Sequence, residues 1–498
     1  MDKEQCKTLM HERAICVIIP TYNNGGSIAR VVADVQEYCS DVYVVDDGST
    51  DTTSATLASI DGITVITNSR NRGKGHALKR AFRRARKEGF AYAVTIDADG
   101  QHYASDLPGF VEANMEHPGS LIVGSRQMDG AERSKGSTFA NKFSNFWFAV
   151  QTGRVLPDTQ TGYRLYPLKK LWGLWLTTNR YESELELLVG SSWHGVPIHS
   201  IPVSVYYPPR EERVSHFRPV VDFSRITVLN TVLCLLAVVY ALPLAVLRFL
   251  LRTVRTVYSL LVLVLFCFLI ATPLVWIYVK TRRMNEQRQL RLHRWIQLTA
   301  RFFMERHGIP GARFTKQVSG AVDFDKPHIV ICNHQSHLDL MCQLLFTPRM
   351  VFLTNNWVWR NPFYGFIIRQ AEFYPVADGI EALLPRLRSL AERGYSIAIY
   401  PEGTRSADCR IGRFHQGAFW VARQLQLPIL PMYLYGAGKV LPKKSHRLHS
   451  GRIHIEVDEA MSCEQMDAMG SEREQAREMR KIYRERYQKI ANRIEQDV

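Results

Sequence analysis

Short apolar runs alternate with longer amphipathic segments over the first 225 residues. Each run ends in turn-forming residues, and helical patterns such as 74–88 lie between the runs. This alternation predicts βαβ units and therefore a mostly parallel sheet. The predicted strands are 15–20, 42–46, 63–67 and 92–97. Because ligands bind at the carboxyl ends of such strands, the polar residues that follow these runs are the first candidates for chemistry.

A second alternation of the same kind begins at Pro327 and predicts a further α/β domain. Its predicted strands are 328–332, 350–353, 396–400, 427–434 and 452–457. The preceding segment, 281–320, has the pattern of a basic amphipathic helix. The final stretch, 464–498, is highly charged and helical in pattern, and we expect a solvated surface helix there.

Two nearly uncharged apolar stretches, 226–247 and 257–279, separate the two α/β regions. Each corresponds to ~33 Å of helix, which is enough to cross a bilayer core. Basic residues flank both outer ends, so the positive-inside rule predicts a helical hairpin with both flanks in the cytoplasm. The expected turn contains Arg248, Arg252 and Arg255. A fully transmembrane hairpin would place these arginines on the far side, whereas a monotopic hairpin would not, and the sequence leaves both alternatives open.

The composition narrows the class of partner. The net charge of +16 over 498 residues implies an anionic partner, and the apolar stretches favour a membrane. The basic run at 79–87 contains a single aromatic residue and lacks the aromatic interleaving typical of nucleic-acid binding, so no nucleic acid is expected. The nine cysteines include no CxxC pair, which argues against a disulfide framework or a structural zinc site and fits a reducing compartment.

Together these features predict an α/β protein with four segments. They are a domain at 1–225, a membrane hairpin at 226–280, a second α/β domain at 281–460 and a charged C-terminal helix at 461–498. No signal-peptide pattern precedes the first domain. We therefore expect the inner (cytoplasmic) membrane as the location, with both catalytic domains in the cytosol.

Acidic residues follow two of the predicted strands in the first domain. Asp46 and Asp47 come after one strand, and Asp97 and Asp99 end the other. Two carboxylates two residues apart at a strand end can reach one hard divalent cation, either Mg²⁺ or Mn²⁺, whose other positions are filled by diphosphate oxygens. Lys74 opens a helix after a glycine, where backbone amides and a cation suit a phosphate group.

The first domain resembles the family 2 glycosyltransferases of the dolichyl- and polyprenyl-phosphate branch. The motifs that carry the resemblance are PTYNN (20–24), VVDDGSTD (44–51), NRGKG (71–75), DADGQH (97–102), GSR (124–126) and DTQTGYRLY (158–166). The resemblance implies a GT-A (Rossmann-like) fold, inverting transfer and a nucleotide-sugar donor. One departure is Asn24, where the family has a glutamate that bears on donor recognition.

The resemblance also implies roles for individual residues. Asp46 is expected on the nucleotide, with Asp97 and Asp99 on the metal. The further substrate-binding residues are expected to be Pro20, Tyr22, Asp47, Lys74 and Gln101 on the donor side, and Arg126 and Arg164 near the acceptor. Asp158 is a candidate base or acceptor-positioning group. A lipid-phosphate acceptor is already ionised and needs no base, whereas an alcohol acceptor would make Asp158 essential.

A histidine and an aspartate follow the first strand of the second domain. His334 and Asp339 are five residues apart, so they can meet only if His334 lies in the loop and Asp339 in the first helical turn. With Ser336 as the N-cap, the Asp339 carboxylate would point back over the loop and fix the tautomer of the imidazole. This would be the His–Asp half of a catalytic triad, with a substrate hydroxyl in place of the serine.

The second domain resembles the lysophospholipid (1-acylglycerol-3-phosphate) acyltransferases. The motifs are H-x4-D (334–339), PEGTRS (401–406), FHQGA (414–418) and PILP (428–431). The resemblance implies that His334 deprotonates the acceptor, that Asp339 orients it, and that acyl-CoA or acyl carrier protein is the donor. The acceptor-binding residues implied are Glu402, Gly403, Thr404 and Arg405. Arg369 fits the arginine of an intervening family motif poorly, which bears on the acceptor.

The sequence therefore predicts a bifunctional, membrane-bound enzyme of glycolipid assembly that transfers a hexose and an acyl group to lipid acceptors. Three alternatives remain. In the first, the two domains act on unrelated substrates; in the second, one domain has become a lipid-binding module; in the third, the chain is a membrane scaffold without catalysis.

Overall fold

The computed structural model describes residues 1–126, 135–171, 173–174, 177–206, 219–306, 309–320, 322–376, 379–445 and 447–496. The chain divides into two compact units. The first comprises Met1–Val246 with Asn492–Val498, and the second comprises Leu247–Ala491. Each unit is built around its own seven-stranded sheet.

The N-terminal sheet has the order β3-β2-β1-β4-β6-β5-β7, and β6 is antiparallel to both of its neighbours. Its strands are β1 (Ile15–Thr21), β2 (Val42–Asp46), β3 (Ile63–Thr67), β4 (Tyr92–Thr95), β5 (Leu121–Arg126), β6 (Arg164–Pro167) and β7 (Ile198–Val203). Its helices are α1 (Lys3–Glu12), α2 (Ile28–Gln36), α3 (Thr53–Ala58), α4 (Lys74–Lys87), α5 (Leu107–Glu116), α6 (Lys135–Thr152), α7 (Leu168–Leu171) and α8 (Glu182–Trp193). The four predicted strands are confirmed.

Strand β1 lies near the centre of this sheet and is buried along its whole length. Ile15, Val17 and Ile19 belong to one apolar cluster, while Cys16 and Ile18 belong to a second. Successive side chains of a strand point to opposite faces, so the two clusters cover opposite faces of the sheet. Covering both faces is typical of parallel strands and explains why the run reads as continuously apolar.

One long helix follows the first sheet, and the predicted hairpin is wrong. The helix consists of α9 (Pro219–Leu236), α10 (Leu242–Leu265) and α11 (Thr272–Thr281), which are joined by π-helical segments at Ala237–Ala241 and Phe266–Ala271. Its stretch Phe223–Thr281 is long and apolar enough to cross a membrane by length and composition, and most of its apolar window lies outside the protein interior. The predicted boundary at 225 falls inside α9.

The sequence between the two apolar stretches explains why the helix continues. Residues 248–256 contain no glycine, proline or asparagine that would favour a turn. Pro243 and Pro273 each follow a π-helical segment within two residues. Proline lacks the N–H of the helical ladder and clashes with the preceding turn, and a widened π turn accommodates this without ending the helix.

The C-terminal sheet has the order β11-β10-β12-β9-β13-β14-β8, and the β13–β14 pair is antiparallel. Its strands are β8 (Ala312–Val318), β9 (Ile329–Cys332), β10 (Met350–Thr354), β11 (Tyr374–Pro375), β12 (Ser396–Ile399), β13 (Ile429–Tyr435) and β14 (Gly451–Val457). The accompanying helices are α12 (Glu286–Arg301), α13 (Asp339–Leu344), α14 (Asn356–Trp359), α15 (Gly365–Gln370), α16 (Ile380–Glu392), α17 (Gly417–Leu425), α18 (Ala437–Val440), α19 (Cys463–Ala468) and α20 (Glu472–Gln496).

Two expectations for this unit need correction. The segment 281–320 contains the helix α12, but it also contains the edge strand β8, whose largely exposed residues lack an apolar run. Helix α20 is charged, yet one of its faces is buried rather than solvated. Its Tyr483 hydroxyl donates to the Ile331 carbonyl (2.8 Å) and accepts from the Met432 N–H (3.2 Å), and it thereby ties α20 to β9 and β13.

Candidate active sites

The acidic pair after β2 organises the loops at the carboxyl end of the N-terminal sheet. Asp46 is buried and accepts hydrogen bonds from the Ser49 N–H (2.8 Å) and the Ser54 hydroxyl (2.5 Å). Asp47 is also buried, and it accepts from the backbone N–H groups of Arg72 and Gly73. Both carboxylates therefore already have protein donors, and Asp47 fixes the NRGKG loop that presents Lys74.

Lys74 lies between two carboxylates. Its Nζ is 2.5 Å from Asp97 Oδ1 and 2.8 Å from Glu184 Oε1. Burial opposes its charge, but the two carboxylates outweigh that effect and raise the pKa of Lys74. Burial likewise opposes ionisation of Asp97, yet Lys74 outweighs it and holds the pKa of Asp97 below its usual value. The three groups therefore form a charged cluster at the strand end.

Asp99 lies two residues beyond Asp97 and accepts a hydrogen bond from the Gln101 N–H at 3.0 Å. Desolvation and the charge of Asp97 raise the pKa of Asp99 to about 6. A second negative charge is thus disfavoured next to Asp97 unless a cation is present. Of the residues that the structure describes, no group of three or more histidine, cysteine, aspartate or glutamate side chains is arranged as a metal site.

Arg126 and Asp158 form a bidentate ion pair. Arg126 Nε is 2.6 Å from Asp158 Oδ2, and Arg126 Nη2 is 3.0 Å from Asp158 Oδ1. Asp158 is completely buried, whereas the Arg126 side chain is 18% exposed. Burial opposes the charge of Asp158, but its hydrogen bonds with Arg126 outweigh this effect and lower its pKa. The geometry suits Asp158 as the group that positions Arg126 rather than as a base.

Arg164 does not lie on an open surface, which corrects its expected place beside the acceptor. Its side chain is completely buried. The guanidinium donates to the backbone carbonyls of Thr161, Glu184 and Thr159 at 2.7–2.8 Å. Arg164 therefore shapes the loop that holds Asp158.

The PTYNN motif lies at the end of β1. Pro20 is buried in the strand, and Tyr22 is half-buried in the loop that follows. The side-chain amide of Asn24 donates to the Thr21 hydroxyl and to the Tyr22 carbonyl, both at 3.2 Å. An ionised glutamate has no proton to donate, so asparagine at this position builds a local turn that the usual family residue would not.

The sequence predicted no role for three residues of this site. Glu184 lies in the first turn of α8, and the sequence does not distinguish it from Glu182 and Glu186 on the same helix. A Cβ on Gly162 would lie 2.6 Å from Lys74 Nζ and 2.8 Å from Asp97 Oδ2, so a side chain there would displace the charged cluster. Burial lowers the pKa of His102, which directly follows Gln101, to about 4.

The second site lies after β9, where His334 and Asp339 meet as predicted. His334 Nδ1 is 2.8 Å from Asp339 Oδ2, and Asp339 is completely buried. The same carboxylate oxygen accepts the N–H groups of Gln335 (2.6 Å) and Ser336 (2.9 Å). The His334 side chain is 21% exposed, so its other nitrogen is accessible from the surface.

The predicted cap of the following helix is displaced. Helix α13 begins at Asp339, with Leu338 rather than Ser336 at the N-cap position. Two turn residues separate Ser336 from the helix, and the Ser336 hydroxyl accepts from the Leu338 N–H. Asp339 therefore occupies the first helical position, from which its carboxylate reaches back to the imidazole.

The PEGTR turn after β12 supports the histidine from a second side. Glu402 Oε1 accepts a hydrogen bond from the backbone N–H of His334 at 2.8 Å, and Glu402 Oε2 accepts one from the backbone N–H of Gly412 at 2.8 Å. Burial raises the pKa of Glu402. The Tyr400 ring stacks on the imidazole, with ring centroids 4.0 Å apart. Glu402 therefore positions the histidine loop, and Gly403, with φ +65°, lets the turn close.

Thr404 and Arg405 lie at the outer edge of the same turn. Lys443 Nζ donates to the Thr404 hydroxyl (3.0 Å) and to the Arg405 carbonyl (2.6 Å). Arg405 is half-buried, and its guanidinium suits bidentate binding of a phosphate. Arg369 is held elsewhere, since it donates to the Trp359 carbonyl (2.8 Å) and lies over the Trp359 ring.

Two separate segments of the chain match models of known protein families. A glycosyl transferase family 2 model matches residues 16–175, and an acyltransferase model matches residues 313–435. An uncharacterised protein of Methanocaldococcus jannaschii is 30% identical over 201 residues, which cover 39% of this chain and 82% of that protein.

Two relatives with assigned activities match one unit each. The UDP-N-acetylglucosamine–dolichyl-phosphate N-acetylglucosaminyltransferase of Methanococcus voltae is 27% identical, over 40% of this chain and 88% of the relative. The chloroplastic 1-acyl-sn-glycerol-3-phosphate acyltransferase LPAT1 of Arabidopsis thaliana is 29% identical, over 30% of this chain. The match spans only 43% of that acyltransferase. The chain therefore carries a family 2 glycosyltransferase domain at residues 16–175 and an acyltransferase domain at residues 313–435.

Proposed function

We propose that the N-terminal site transfers a hexose from a nucleotide-sugar to a lipid phosphate. The observation that carries this proposal is the bidentate pair of Arg126 with the completely buried Asp158. Asp158 is unavailable as a base, so an acceptor that is already ionised fits better than an alcohol. The relative from Methanococcus voltae is by name a transferase to dolichyl phosphate, an acceptor of the same class.

A divalent cation fits the donor side of this site. Asp97 and Asp99 would hold Mg²⁺ or Mn²⁺, because two carboxylates leave coordination positions for diphosphate oxygens. Such a cation, when bound, neutralises charge on the leaving diphosphate. Lys74 supplies a further positive charge 2.5 Å from Asp97. Gly162 keeps the adjacent space free of a side chain, and Arg126 orients the acceptor phosphate for attack on the anomeric carbon.

We infer that the C-terminal site transfers an acyl group from acyl-CoA or acyl carrier protein to a lipid hydroxyl. The unpaired nitrogen of His334 accepts the hydroxyl proton while the oxygen attacks the thioester carbonyl. The thiol then leaves with that proton, and the new ester bond replaces the thioester bond. Asp339 holds the opposite imidazole nitrogen at 2.8 Å and stabilises the transient positive charge. Arg405 binds the acceptor's phosphate.

We further infer that both domains work in the cytosol at the inner (cytoplasmic) membrane. The apolar helix Phe223–Thr281 supports membrane attachment. Two-dimensional confinement of an acceptor next to two fused domains would raise its effective concentration at the second site. This arrangement favours glycolipid assembly over two unrelated reactions, and the paired catalytic groups at both sites favour two active domains over one lipid-binding module.

The purified full chain can be tested with two labels. It would be incubated with membrane lipids, a labelled nucleotide-sugar and a differently labelled acyl thioester, and the lipid products would be separated. Incorporation of both labels supports two active domains, and one lipid that carries both supports glycolipid assembly. Labels found only on separate lipids would favour unrelated substrates, and failure of one label with every donor would indicate a domain without catalysis.

A further inference from the structure

Arg447 and Leu448 belong to a loop of the second unit that contacts the helix α10. The Leu448 N–H donates to the Thr256 hydroxyl at 2.9 Å. The Arg447 guanidinium lies 4.4 Å from the centroid of the Phe249 ring. These contacts place the loop beside the arginines that lie between the two apolar stretches of the helix.

Positive charges converge at this contact. We define the basic ridge as Arg252, Arg255, Lys443 and Arg447. Arg252, Arg255 and Arg447 are near enough to act on His449, whose pKa is lowered by burial and by these three charges. Like charges held so close together favour an anionic ligand.

The basic ridge reaches the proposed acyl-acceptor turn. Lys443 bridges to the Thr404 hydroxyl and the Arg405 carbonyl. Arg405 is the residue whose guanidinium we assign to the acceptor's phosphate. The ridge thus forms a path of cations from α10 to the acyltransferase site.

Exposed apolar side chains surround the helical part of the ridge. Leu250, Leu251 and Val254 are 52%, 55% and 65% exposed. Cations with apolar neighbours on one helix are typical of a segment at a bilayer surface, where the charges contact headgroups and the apolar groups enter the acyl boundary. An acidic carrier protein or the phosphates of CoA would account for the cations but not for the exposed apolar side chains.

We propose that the basic ridge binds the headgroup phosphates of anionic phospholipids and holds the acyl-acceptor turn at headgroup depth. This proposal rests on the proposed function in one respect, namely that the acyl acceptor is a membrane lipid. It assigns the arginines of α10 to the same membrane surface as the acyltransferase site, whereas a fully crossing hairpin would have put them on the far side.

The test uses flotation of the full chain with vesicles of phosphatidylcholine alone and of phosphatidylcholine with about one-third phosphatidylglycerol. The variant combines Arg252→Gln, Arg255→Gln and Arg447→Gln. Since each cation near the surface contributes about fivefold to binding, we expect a roughly 100-fold loss of the preference for anionic vesicles. Binding to neutral vesicles should persist through the apolar helix. High salt should reduce the wild-type preference.

Two control variants distinguish the loss of positive charge at the ridge from misfolding of the protein. A combination of Arg473→Gln, Arg477→Gln and Arg484→Gln removes the same charge from exposed positions of α20 and should keep the preference. Replacing the three ridge arginines by lysine should also keep it. The glutamine variant should retain acyl transfer to a dispersed acceptor in detergent, which shows that the domain is folded.

The proposal is overturned if the glutamine variant keeps the wild-type preference, or if the α20 control loses as much. It is also overturned if vesicle binding is unchanged while the KM for acyl-CoA or acyl carrier protein rises, since the ridge would then be a donor site. Absence of acyl transfer by the wild type in detergent would instead contradict the proposed function.

Discussion

At the carboxyl edge of the N-terminal sheet the charged side chains are largely paired with each other, whereas at the C-terminal sheet the imidazole keeps one side open. Lys74 contacts two carboxylates, and the guanidinium of Arg126 donates to both carboxylate oxygens of Asp158 through Nε and Nη2. His334, in contrast, uses one ring nitrogen for Asp339 and is exposed on the other side. Both sites follow parallel strands, so the difference lies in the chemistry and not in the type of fold.

The difference shows what each reaction requires of the protein. A nucleotide-sugar brings its own negative charge, so the first site needs cations that carboxylates hold in place until the donor and acceptor arrive. A thioester and a hydroxyl are neutral, so the second site needs a base that is ready before the substrate binds.

The largest effect is expected at the open imidazole. His334→Ala removes the base and should reduce acyl transfer by about three orders of magnitude, because positioned general bases contribute up to ~10⁴-fold. Thioester consumption by the purified chain measures the rate, and sugar transfer is the internal control. A loss below about tenfold would mean that His334 is not the base.

Loss of the ion pair between Arg126 and Asp158 should lower the free energy of unfolding. Asp158→Asn leaves the Arg126 guanidinium without its counter-charge and should destabilise the N-terminal domain by about 3 kcal/mol at pH 7. Asp158 has a lowered pKa, so its stabilising effect is present above the ordinary carboxyl pKa of ~3.9 and is lost as the pH falls through the lower native value.

The wild type and the Asp158→Asn variant should therefore converge in stability in acid. Urea unfolding at several pH values measures this, with the exposed Asp61→Asn as a matched control. If the free energies of unfolding of the wild type and Asp158→Asn differed by the same amount at every pH, the ion pair would not be the cause of the difference. Loss of sugar transfer with a displaced pH profile but unchanged stability would instead restore Asp158 as a base.

A side chain added next to the cluster of Lys74, Asp97 and Glu184 should have a smaller effect, on donor binding. Gly162→Ala places a methyl group 2.6 Å from Lys74 Nζ and should weaken binding of Mn²⁺ with the nucleotide-sugar about tenfold, because the cluster must shift. Calorimetric titration measures the affinity. Gly26→Ala is the control, since its Cβ would meet nothing within 4 Å. Equal affinities for both variants would remove Gly162 from the donor site.

The smallest effect is expected at the edge of the open site. Arg405→Lys keeps the charge but loses the planar fork, so the KM for a phosphate-bearing acceptor should rise about fivefold while kcat changes little. An acceptor that lacks the phosphate should show no such difference. If both acceptors respond equally, Arg405 contributes to the structure of the turn and not to phosphate binding.

Local patterns carried much of the fold and part of both sites. Strands β1 and β9 are buried along their whole length, so each appears in the sequence as a continuous apolar run that ends in turn residues. His334 and Asp339 share one loop, so helical geometry alone restricted how they could meet. The exposed edge strand β8 has no apolar run, and it was missed.

Other features depend on tertiary contacts or on direction, which local patterns do not contain. Glu184 and Gly162 reach Lys74 only through folding of distant segments. The motif that contains Arg164 indicates its importance but not that it points inward. Hydropathy gave the length of the apolar stretches, but it did not show that Arg248–Arg255 would continue the helix instead of turning.

The most direct measurement compares two single-site variants of the full chain in both assays. Asp99→Ala should abolish sugar transfer and leave acyl transfer at the wild-type rate, and His334→Ala should do the reverse. That reciprocal result is expected if each sheet edge carries its own active site. Sugar transfer at the wild-type rate by Asp99→Ala from every nucleotide-sugar, or loss of both activities in either variant, would contradict the account.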